Sequence, residues 1–393
     1  MINWNDKLSS HVLSIKPSGI RKFFDIVQTI PDAISLGVGE PDFITPWHIR
    51  DAAVESIRNG HTAYTSNSGT PRLRKLISQY MQQRFSLEYN YENEILVTVG
   101  ASEAIDLSLR ACICPGDEVI IPDPSYVSYM PNVLLVHGVP KPVKVKAEND
   151  FRITAQEIEA SITSKTKAII LPYPNNPTGA ILEKNDLEEL AKVIKKHDLI
   201  VISDEIYAEL TYSTKHVSIA SIAGMRERTI VLNGFSKSFA MTGWRVGFVC
   251  APKEALEQMR KIHQYVIMCA STMSQAAAEE ALESSLKDNF SDVSRMHDDY
   301  DMRRRVIFSK LNSLGLNCFE PRGAFYIFPS IASSGLSCDD FATKLLEQQH
   351  VAIVPGTAFG EGGEGFARCS YASSIKNINE AMERIGRFLE TIK

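Results

Sequence analysis

The sequence predicts an α/β fold in which helices cover both faces of a mostly parallel sheet. Between about residues 94 and 252, short apolar runs rich in Val and Ile alternate with stretches of helical periodicity. The runs are apolar at successive positions, which is typical of strands buried on both faces. This alternation is what parallel strands joined by helical crossovers require.

The apolar runs define the predicted strands of this sheet. They are Ile95–Val99, Val119–Ile121, Ala168–Leu171, Leu199–Ile202, Ile230–Leu232 and Val246–Val249. The stretch Leu187–Lys196 is typical of the connections, because its Leu, Ala and Ile residues recur at the spacing of one helix face.

A second, smaller domain is expected because the pattern changes after about residue 285. The elements predicted there are a charged helix at Val293–Leu314, a strand-like run at Ala324–Phe328, a helix at Asp339–Gln348 and a short run at Val351–Val354. The N-terminal residues have an apolar run of their own at Ala33–Leu36. We therefore expect a large domain over residues 46–290, and a small α+β domain built from residues 1–45 and 291–393.

Composition and charge restrict the class of protein. The net charge is −5, and Lys and Arg are spread along the chain, so we expect neither nucleic acid nor an anionic membrane as partner. The N-terminal segment MINWNDKLSS lacks the apolar stretch that a secretory signal needs, and the sequence has no apolar run of about 18 residues, so we expect neither a secretory signal nor a membrane span. The seven Cys form no CxxC pair, which predicts reduced thiols in a cytoplasmic protein. The nine His show no metal-ligand spacing, so no metal site is expected.

Polar segments follow five of the predicted strands, at the edge where an open parallel sheet binds its ligands. They are Gly100-Ala101-Ser102, Pro122-Asp123-Pro124-Ser125-Tyr126, Pro172–Gly179, Ser203–Tyr207 and Asn233–Phe239. Gly100 opens a predicted helix, and the N–H groups of a helix N-terminus suit a phosphate. We expect the five segments to converge on one crevice.

Lys237 and Asp204 are the candidate catalytic residues. Lys237 follows a buried strand between Phe235 and Phe239, where a lysine is either paired or neutral, and a neutral amine attacks carbonyl carbon. Asp204 ends a neighbouring strand and suits a protonated pyridine nitrogen. Taken singly, Asp204 could cap a helix and Lys237 could be a solvated surface residue. Together they are the two groups expected of a pyridoxal-phosphate site.

Four motifs make the chain resemble the class I/II aminotransferases of fold type I. Ser236–Gly247 is similar to the lysine signature of that family, Tyr173–Gly179 to its asparagine motif, Gly39–Phe43 to its N-terminal motif and Ser203–Tyr207 to its aspartate motif. The resemblance covers nearly the whole chain, with the motifs in the family's order. It is nearest to bacterial aromatic and N-acetyl-diaminopimelate aminotransferases, and it implies a seven-stranded sheet.

The resemblance implies roles for the residues around a cofactor ring. Lys237 would form a Schiff base with pyridoxal 5'-phosphate and then act as general base and acid. Asp204 would bind the ring nitrogen. Tyr207 and Asn176 would hydrogen-bond the 3-hydroxyl oxygen of the ring, and Tyr126 would stack on its face.

The resemblance also implies how the phosphate and the substrate are held. The phosphate would contact Ala101, Ser102, Ser236 and Arg245. Arg368 would bind the α-carboxylate of the substrate, assisted by Asn176 and the backbone of Gly39. Tyr64 resembles the tyrosine that reaches the phosphate of a neighbouring subunit, which implies a homodimer with shared active sites.

The implied reaction moves the amino group of an L-amino acid to a 2-oxo acid, with 2-oxoglutarate as the expected acceptor, by a ping-pong mechanism. Aspartate-preferring relatives can carry a lysine near the positions of Ser102 and Glu103. This chain has none there, which argues against a narrow aspartate preference. Arg21-Lys22, followed by Phe23 and Phe24, could offer a cation or an aromatic ring to the donor. Alternatively, Arg21 and Lys22 are solvated, and Phe23 and Phe24 pack in the small domain.

Two other functions use the same fold. A pyridoxal-phosphate β-lyase would differ only in how the substrate is oriented over the ring, and Arg368 together with the whole-chain likeness favours transamination. A ligand-sensing regulator would need an added DNA-binding domain, for which the first 45 or so residues leave no room. Gly360–Gly365 matches the pattern GxGxxG, but it carries two carboxylates and opens no evident helix, so we interpret it as a flexible loop.

Overall fold

The computed structural model describes residues 2–17, 19, 30 and 32–392. Its strands are β1 (Ile34–Ser35), β2 (Ile95–Thr98), β3 (Glu118–Asp123), β4 (Val139–Lys144), β5 (Thr166–Leu171), β6 (Ile200–Asp204), β7 (Thr229–Gly234), β8 (Gly247–Cys250), β9 (Tyr326–Ile327), β10 (Val351–Ala352), β11 (Val354–Pro355) and β12 (Ala367–Ser370). Its α-helices are α1 (Ser10–Ser14), α2 (Trp47–Arg58), α3 (Pro71–Phe85), α4 (Gly100–Cys112), α5 (Tyr129–Leu135), α6 (Ala155–Ser161), α7 (Lys184–Lys196), α8 (Lys253–Val266), α9 (Thr272–Asp288), α10 (Ser291–Ser313), α11 (Cys338–Gln349) and α12 (Ile375–Thr391).

The large sheet has seven strands in the order β2-β8-β7-β6-β5-β3-β4. Strands β3 to β7 run parallel to one another, whereas β8 is antiparallel to both β2 and β7. The predicted α/β class with a mostly parallel, seven-stranded sheet is therefore confirmed.

Strand β4 is the one element of this sheet that the apolar runs did not predict. Its residues include Pro140 and Pro142, which cannot donate hydrogen bonds to a neighbouring strand. β4 pairs with β3 alone, at the edge of the sheet, where such a strand is tolerated.

Helices cover the sheet on both faces, because neighbouring strand residues point to opposite sides. Val97 packs in one core with residues of α3 and α9, whereas the adjacent Leu96 packs in another with residues of α4, α5 and α8. The continuous apolar runs are thus explained by burial on two sides. Within the described residues, no helix combines the length and the apolarity needed to cross a membrane.

The remaining strands form two small sheets. β1 pairs parallel with β10, and β12 pairs antiparallel with β11 and β9. Leu36, just after β1, shares a core with Ile307 of α10 and Ile385 of α12. We propose that residues 1–45 and 291–393 form the small domain and residues 46–290 the large one, because the large sheet and helices α2 to α9 lie between residues 46 and 290.

Candidate active site

A cavity of about 770 Å³ opens where strands β3, β5, β6 and β7 end. All of the residues that the sequence singled out as site residues, except Tyr64, line it. They are Gly39, Ala101, Ser102, Tyr126, Asn176, Asp204, Tyr207, Ser236, Lys237, Arg245 and Arg368. Segments that are far apart in the sequence therefore meet in one place, as parallel strand ends should.

Lys237 lies in the turn after β7, and the buried rings of Phe235 and Phe239 hold that turn against the core. The Nζ atom of Lys237 donates a hydrogen bond to the carbonyl oxygen of Gly39 at 2.6 Å. Burial lowers the pKa of this amine to about 8. Among the described residues no carboxylate lies within ion-pair distance of it. Near pH 7 about a tenth of the amine is therefore neutral, far more than for a solvated lysine, and the neutral form is what a nucleophile or a general base requires.

Asp204 ends β6, and only 5% of it is exposed. Its Oδ2 atom accepts a hydrogen bond from the hydroxyl of Tyr129 at 2.8 Å, and Oδ1 accepts one from the N–H of Ile206 at 3.3 Å. Burial raises the pKa of this carboxyl to about 6, against the effect of the Tyr129 hydroxyl. A cationic nitrogen placed beside Asp204 would relieve the cost of ionising it.

Arg368, on β12, is a buried cation with only 2% of its surface exposed. Its guanidinium donates to Asn176 Oδ1 at 2.9 Å and to the carbonyl oxygen of Gly37 at 2.5 Å, and its Nε has no hydrogen-bond partner among the described residues. It lies 4.4 Å from the ring centroid of Tyr326 and 4.8 Å from that of Phe359. Burial lowers its pKa. In the part of the chain that the structure describes it has no carboxylate partner, so an anionic ligand would supply the missing charge.

The N-terminus of helix α4 and Arg245 form another part of the cavity wall that suits an anion. Helix α4 begins at Gly100, and the residue before it, Val99, provides no side-chain cap for the first N–H groups. Gly100 has φ +73°, and a Cβ atom there would lie 2.6 Å from a guanidinium nitrogen of Arg245. That guanidinium also donates to the carbonyl oxygen of Thr242 at 2.9 Å. Free N–H groups at a helix N-terminus beside an arginine form an anion site.

The sequence did not single out two tyrosines that contact the predicted residues. One is Tyr129, the hydrogen-bond partner of Asp204, which lies only three residues beyond Tyr126. The other is Tyr326, whose hydroxyl lies 2.9 Å from that of Tyr207. Tyr326 also limits residue 39 to glycine, because a Cβ atom there would lie 2.9 Å from its hydroxyl oxygen. The position of Tyr129 just after a strand-end segment was a usable signal, whereas Tyr326 carried none.

Tyr64 lies outside the cavity, with 80% of its surface exposed. Its segment is tied to α9 and to the loop before it, because Thr272 donates to Ala63 O at 2.9 Å and Asn67 donates to Met268 O at 2.8 Å. Tyr265, close to that loop, is 87% exposed. Arg21, Lys22, Phe23 and Phe24 lie outside the described residues.

The glycine-rich segment Gly360–Gly365 packs on the loop that leads to Tyr126. The N–H of Gly362 donates to Asp123 at 3.1 Å, and a Cβ atom at Gly360 would lie 1.8 Å from the same carboxylate. Gly360 also has φ +127°, which L side chains rarely adopt. These glycines permit close backbone packing, which accounts for them without a dinucleotide.

Comparison with known proteins gives matches over most of the chain. Residues 31–385 match the family model described as aminotransferase class I and II. The chain is 46% identical to an aspartate aminotransferase of Pyrococcus abyssi, over 98% of this chain and 99% of that protein. The structure of an aromatic aminotransferase from Pyrococcus horikoshii OT3 is similar with a TM-score of 0.89 and 45% identity, over 94% of this chain and 99% of the other. The structure of an aspartate aminotransferase from Thermus thermophilus with maleate is similar with a TM-score of 0.92 and 36% identity, over 97% of this chain and 99% of the other.

Proposed function

The chain belongs to the class I and II aminotransferases, which are pyridoxal-phosphate-dependent enzymes, and on that premise we propose that it moves the amino group of an L-amino acid to 2-oxoglutarate. The observation that carries this proposal is Arg368, a buried guanidinium that lacks a carboxylate partner in the described chain. Amino acids and 2-oxo acids all carry a carboxylate on the carbon that gains or loses the amino group. A single cation can therefore bind the donor and the acceptor in turn, as a ping-pong reaction requires.

The residues of the cavity fit pyridoxal phosphate. The N-terminus of α4, with the backbone N–H of Ala101, and Arg245 offer a site for the phosphate, to which Ser102 and the buried Ser236 add hydroxyl groups. Asp204, a buried carboxylate that lines the cavity, would pair with the ring nitrogen. The bound cofactor supplies an aldehyde carbon that accepts the amino group and a ring that accepts electrons.

The ring face and the 3-hydroxyl oxygen of the ring also have candidate contacts among the residues that line the cavity. We propose that Tyr126 stacks on the ring and that Tyr207 and Asn176 bind the 3-hydroxyl oxygen, since all three line the cavity. Burial and the Tyr326 hydroxyl keep the pKa of Tyr207 well above its usual value, so Tyr207 acts as a hydrogen-bond donor.

Lys237 has the properties of the amine that holds the cofactor covalently. Its low pKa would make it a nucleophile for an aldehyde carbon. As a free amine it would also serve as the general base that takes a proton from the α-carbon of the substrate and as the acid that gives the proton back. Lys237 donates to the carbonyl oxygen of Gly39 and Arg368 to that of Gly37, so one short segment orients both the amine and the guanidinium that would hold the α-carboxylate.

We propose a donor specificity broader than aspartate alone. Relatives at similar distances are named for aspartate and for aromatic amino acids, so likeness alone does not select a donor. Aspartate-preferring relatives can carry a lysine near the positions of Ser102 and Glu103, whereas this chain has none there, and Ser102 lines the cavity.

We also propose a homodimer in which Tyr64 reaches the phosphate in the partner's site. Tyr64 is exposed and does not line the cavity of its own subunit. Its segment is hydrogen-bonded to the loop before α9 and to the first residue of that helix. Exposed apolar residues close by, Tyr265, Val266 and Ile267, are what a subunit interface would bury.

The experiment that tests the function is a panel of amino donors incubated with 2-oxoglutarate, with glutamate measured as the product. Glutamate formed in step with the 2-oxo acid of the donor is the expected result, and the Lys237→Ala variant should give none. A β-lyase would instead release ammonia and pyruvate from sulfur-substituted cysteines without any acceptor. Release of that kind, with no glutamate formed from any donor, would contradict the proposal.

A further inference from the structure

Helix α8 holds a carboxylate at the first turn of α4 through a fully buried histidine. The Nδ1 atom of His263 lies 2.7 Å from Oε1 of Glu103, and the His263 side chain has no exposed surface. The other oxygen of Glu103 accepts the N–H of Val99 at 2.5 Å. His263 Nε2 has no partner in the described chain, so Glu103 is the one polar contact recorded for the ring. Both oxygens of Glu103 are therefore fixed, by residues on two different elements.

This position is electrostatically sensitive. A carboxylate in the first turn of a helix is attracted to the free N–H groups of that turn, and a bound phosphate uses the same groups. Ala101 and Ser102 line the cavity, whereas Glu103 does not. A released Glu103 side chain would compete with the phosphate for these N–H groups and repel it.

The backbone of the turn is held independently of Glu103. A Cβ atom at Gly247 would lie 2.8 Å from the carbonyl carbon of Gly100 and 2.9 Å from the nitrogen of Ala101, so β8 packs directly behind the turn. The hydroxyl of Thr98 also donates to the carbonyl oxygen of Gly100 at 3.0 Å. The Glu103 side chain is thus the part of this turn that His263 helps to hold, together with the N–H of Val99.

We propose that His263 is a positioning residue for the cofactor phosphate: it holds the Glu103 carboxylate away from the N–H groups of Ala101 and Ser102. The proposal rests on the proposed cofactor site. A purely structural role, in which His263 only joins α8 to α4, would affect every ligand of the cavity alike. The proposed role affects only ligands that carry a phosphate.

The test compares the dissociation constants of pyridoxal phosphate and of pyridoxal, which lacks the phosphate, for the full-length protein freed of cofactor. His263→Leu should weaken binding of pyridoxal phosphate by about tenfold or more, since the Glu103 carboxylate then competes with the phosphate and repels it, and should change pyridoxal binding by less than about twofold. His263→Asn is the matched control, because its side-chain amide can donate from the place of Nδ1, and it should bind both ligands as the parent does.

The double variant Glu103→Gln, His263→Leu completes a double-mutant cycle. In the Glu103→Gln background, His263→Leu should raise the dissociation constant of either ligand by less than about twofold, because no charge remains to be held away. Glu103→Gln alone also serves if His263→Leu does not fold, and it should bind pyridoxal phosphate at least as tightly as the parent. Equal losses for the two ligands, no loss for pyridoxal phosphate, or weaker phosphate-dependent binding in Glu103→Gln would overturn the proposal. A parent protein that binds neither ligand would instead reject the proposed function.

Discussion

The hydroxyl of Tyr129 donates a hydrogen bond of 2.8 Å to Asp204, and both side chains are buried. Even with this donor, burial raises the pKa of the Asp204 carboxyl to about 6. Because the pKa is higher in the native state than in the unfolded chain, the native protein binds the extra proton between about pH 4 and 6. The cofactor-free protein should therefore lose stability as the pH rises through 6.

Asp204→Asn should remove this cost. At pH 8 the free energy of unfolding of the cofactor-free variant should exceed that of the parent by about 3 kcal/mol, and at pH 4 the difference should disappear. Urea unfolding at the two pH values measures it. Asp298→Asn is the control, because that side chain is 81% exposed, and it should show no such dependence on pH. An equal gain at both pH values would mean that Asp204 carries no buried charge.

Arg368→Lys should impair substrate binding, because lysine keeps the charge but cannot make the forked contact with a carboxylate. We expect kcat/KM for any donor to fall about ten- to a hundredfold, mainly through KM. Arg304→Lys is the matched control: Arg304 is equally buried but paired with Asp301 and Glu320. It should lower stability and leave KM unchanged. A KM effect of the same size in both variants would remove Arg368 from the substrate site.

Tyr64→Phe and Lys237→Ala subunits should complement each other when mixed, if each site takes Tyr64 from the partner. A mixed dimer then has one site with both lesions and one with neither, so activity partly returns. Mixing Lys237→Ala with Asp204→Asn is the control, because both residues line the same cavity and every mixed site keeps a lesion. The measurement is the activity of each mixture after the subunits have been dissociated and reassociated. Failure of the first pair to complement, or a monomer in solution, would contradict the shared site.

Gly360→Ala should destabilise the protein far more than Gly365→Ala. Both glycines have positive φ, but a Cβ atom at Gly360 would meet Asp123, whereas one at Gly365 would meet nothing within 4 Å. We expect a difference of at least about 2 kcal/mol in the free energy of unfolding, since one site adds a clash to the backbone strain. Urea titrations of the two variants provide the comparison. Equal losses would show that the loop can move away from Asp123.

The sheet and the residues at its strand ends were predictable from the sequence because both depend on local patterns. Continuous apolar runs identified strands buried on two faces. The direction of each strand then determines where the turn after it lies, and Lys237 lies in the turn after β7. β4 was missed because Pro140 and Pro142 break the apolar run, and its edge position shows only in the assembled sheet.

The partners of the site residues were less predictable, because they depend on how distant elements pack. Tyr326 lies 119 residues from Tyr207, and nothing in its own surroundings indicates that the two hydroxyls meet. The pairing of His263 with Glu103 spans 160 residues and depends on the packing of two helices on one face of the sheet. Such contacts depend on the tertiary structure, and the local periodicity of the sequence does not predict them.

The central claim is that Lys237 carries the cofactor in this cavity. The most direct test is borohydride reduction of the native enzyme, followed by digestion and identification of the modified peptide by mass spectrometry. We expect the reduced cofactor on Lys237 and on no other lysine, because burial gives this amine a pKa of about 8 beside the proposed phosphate and substrate sites. Attachment of the cofactor to a different lysine would contradict the account.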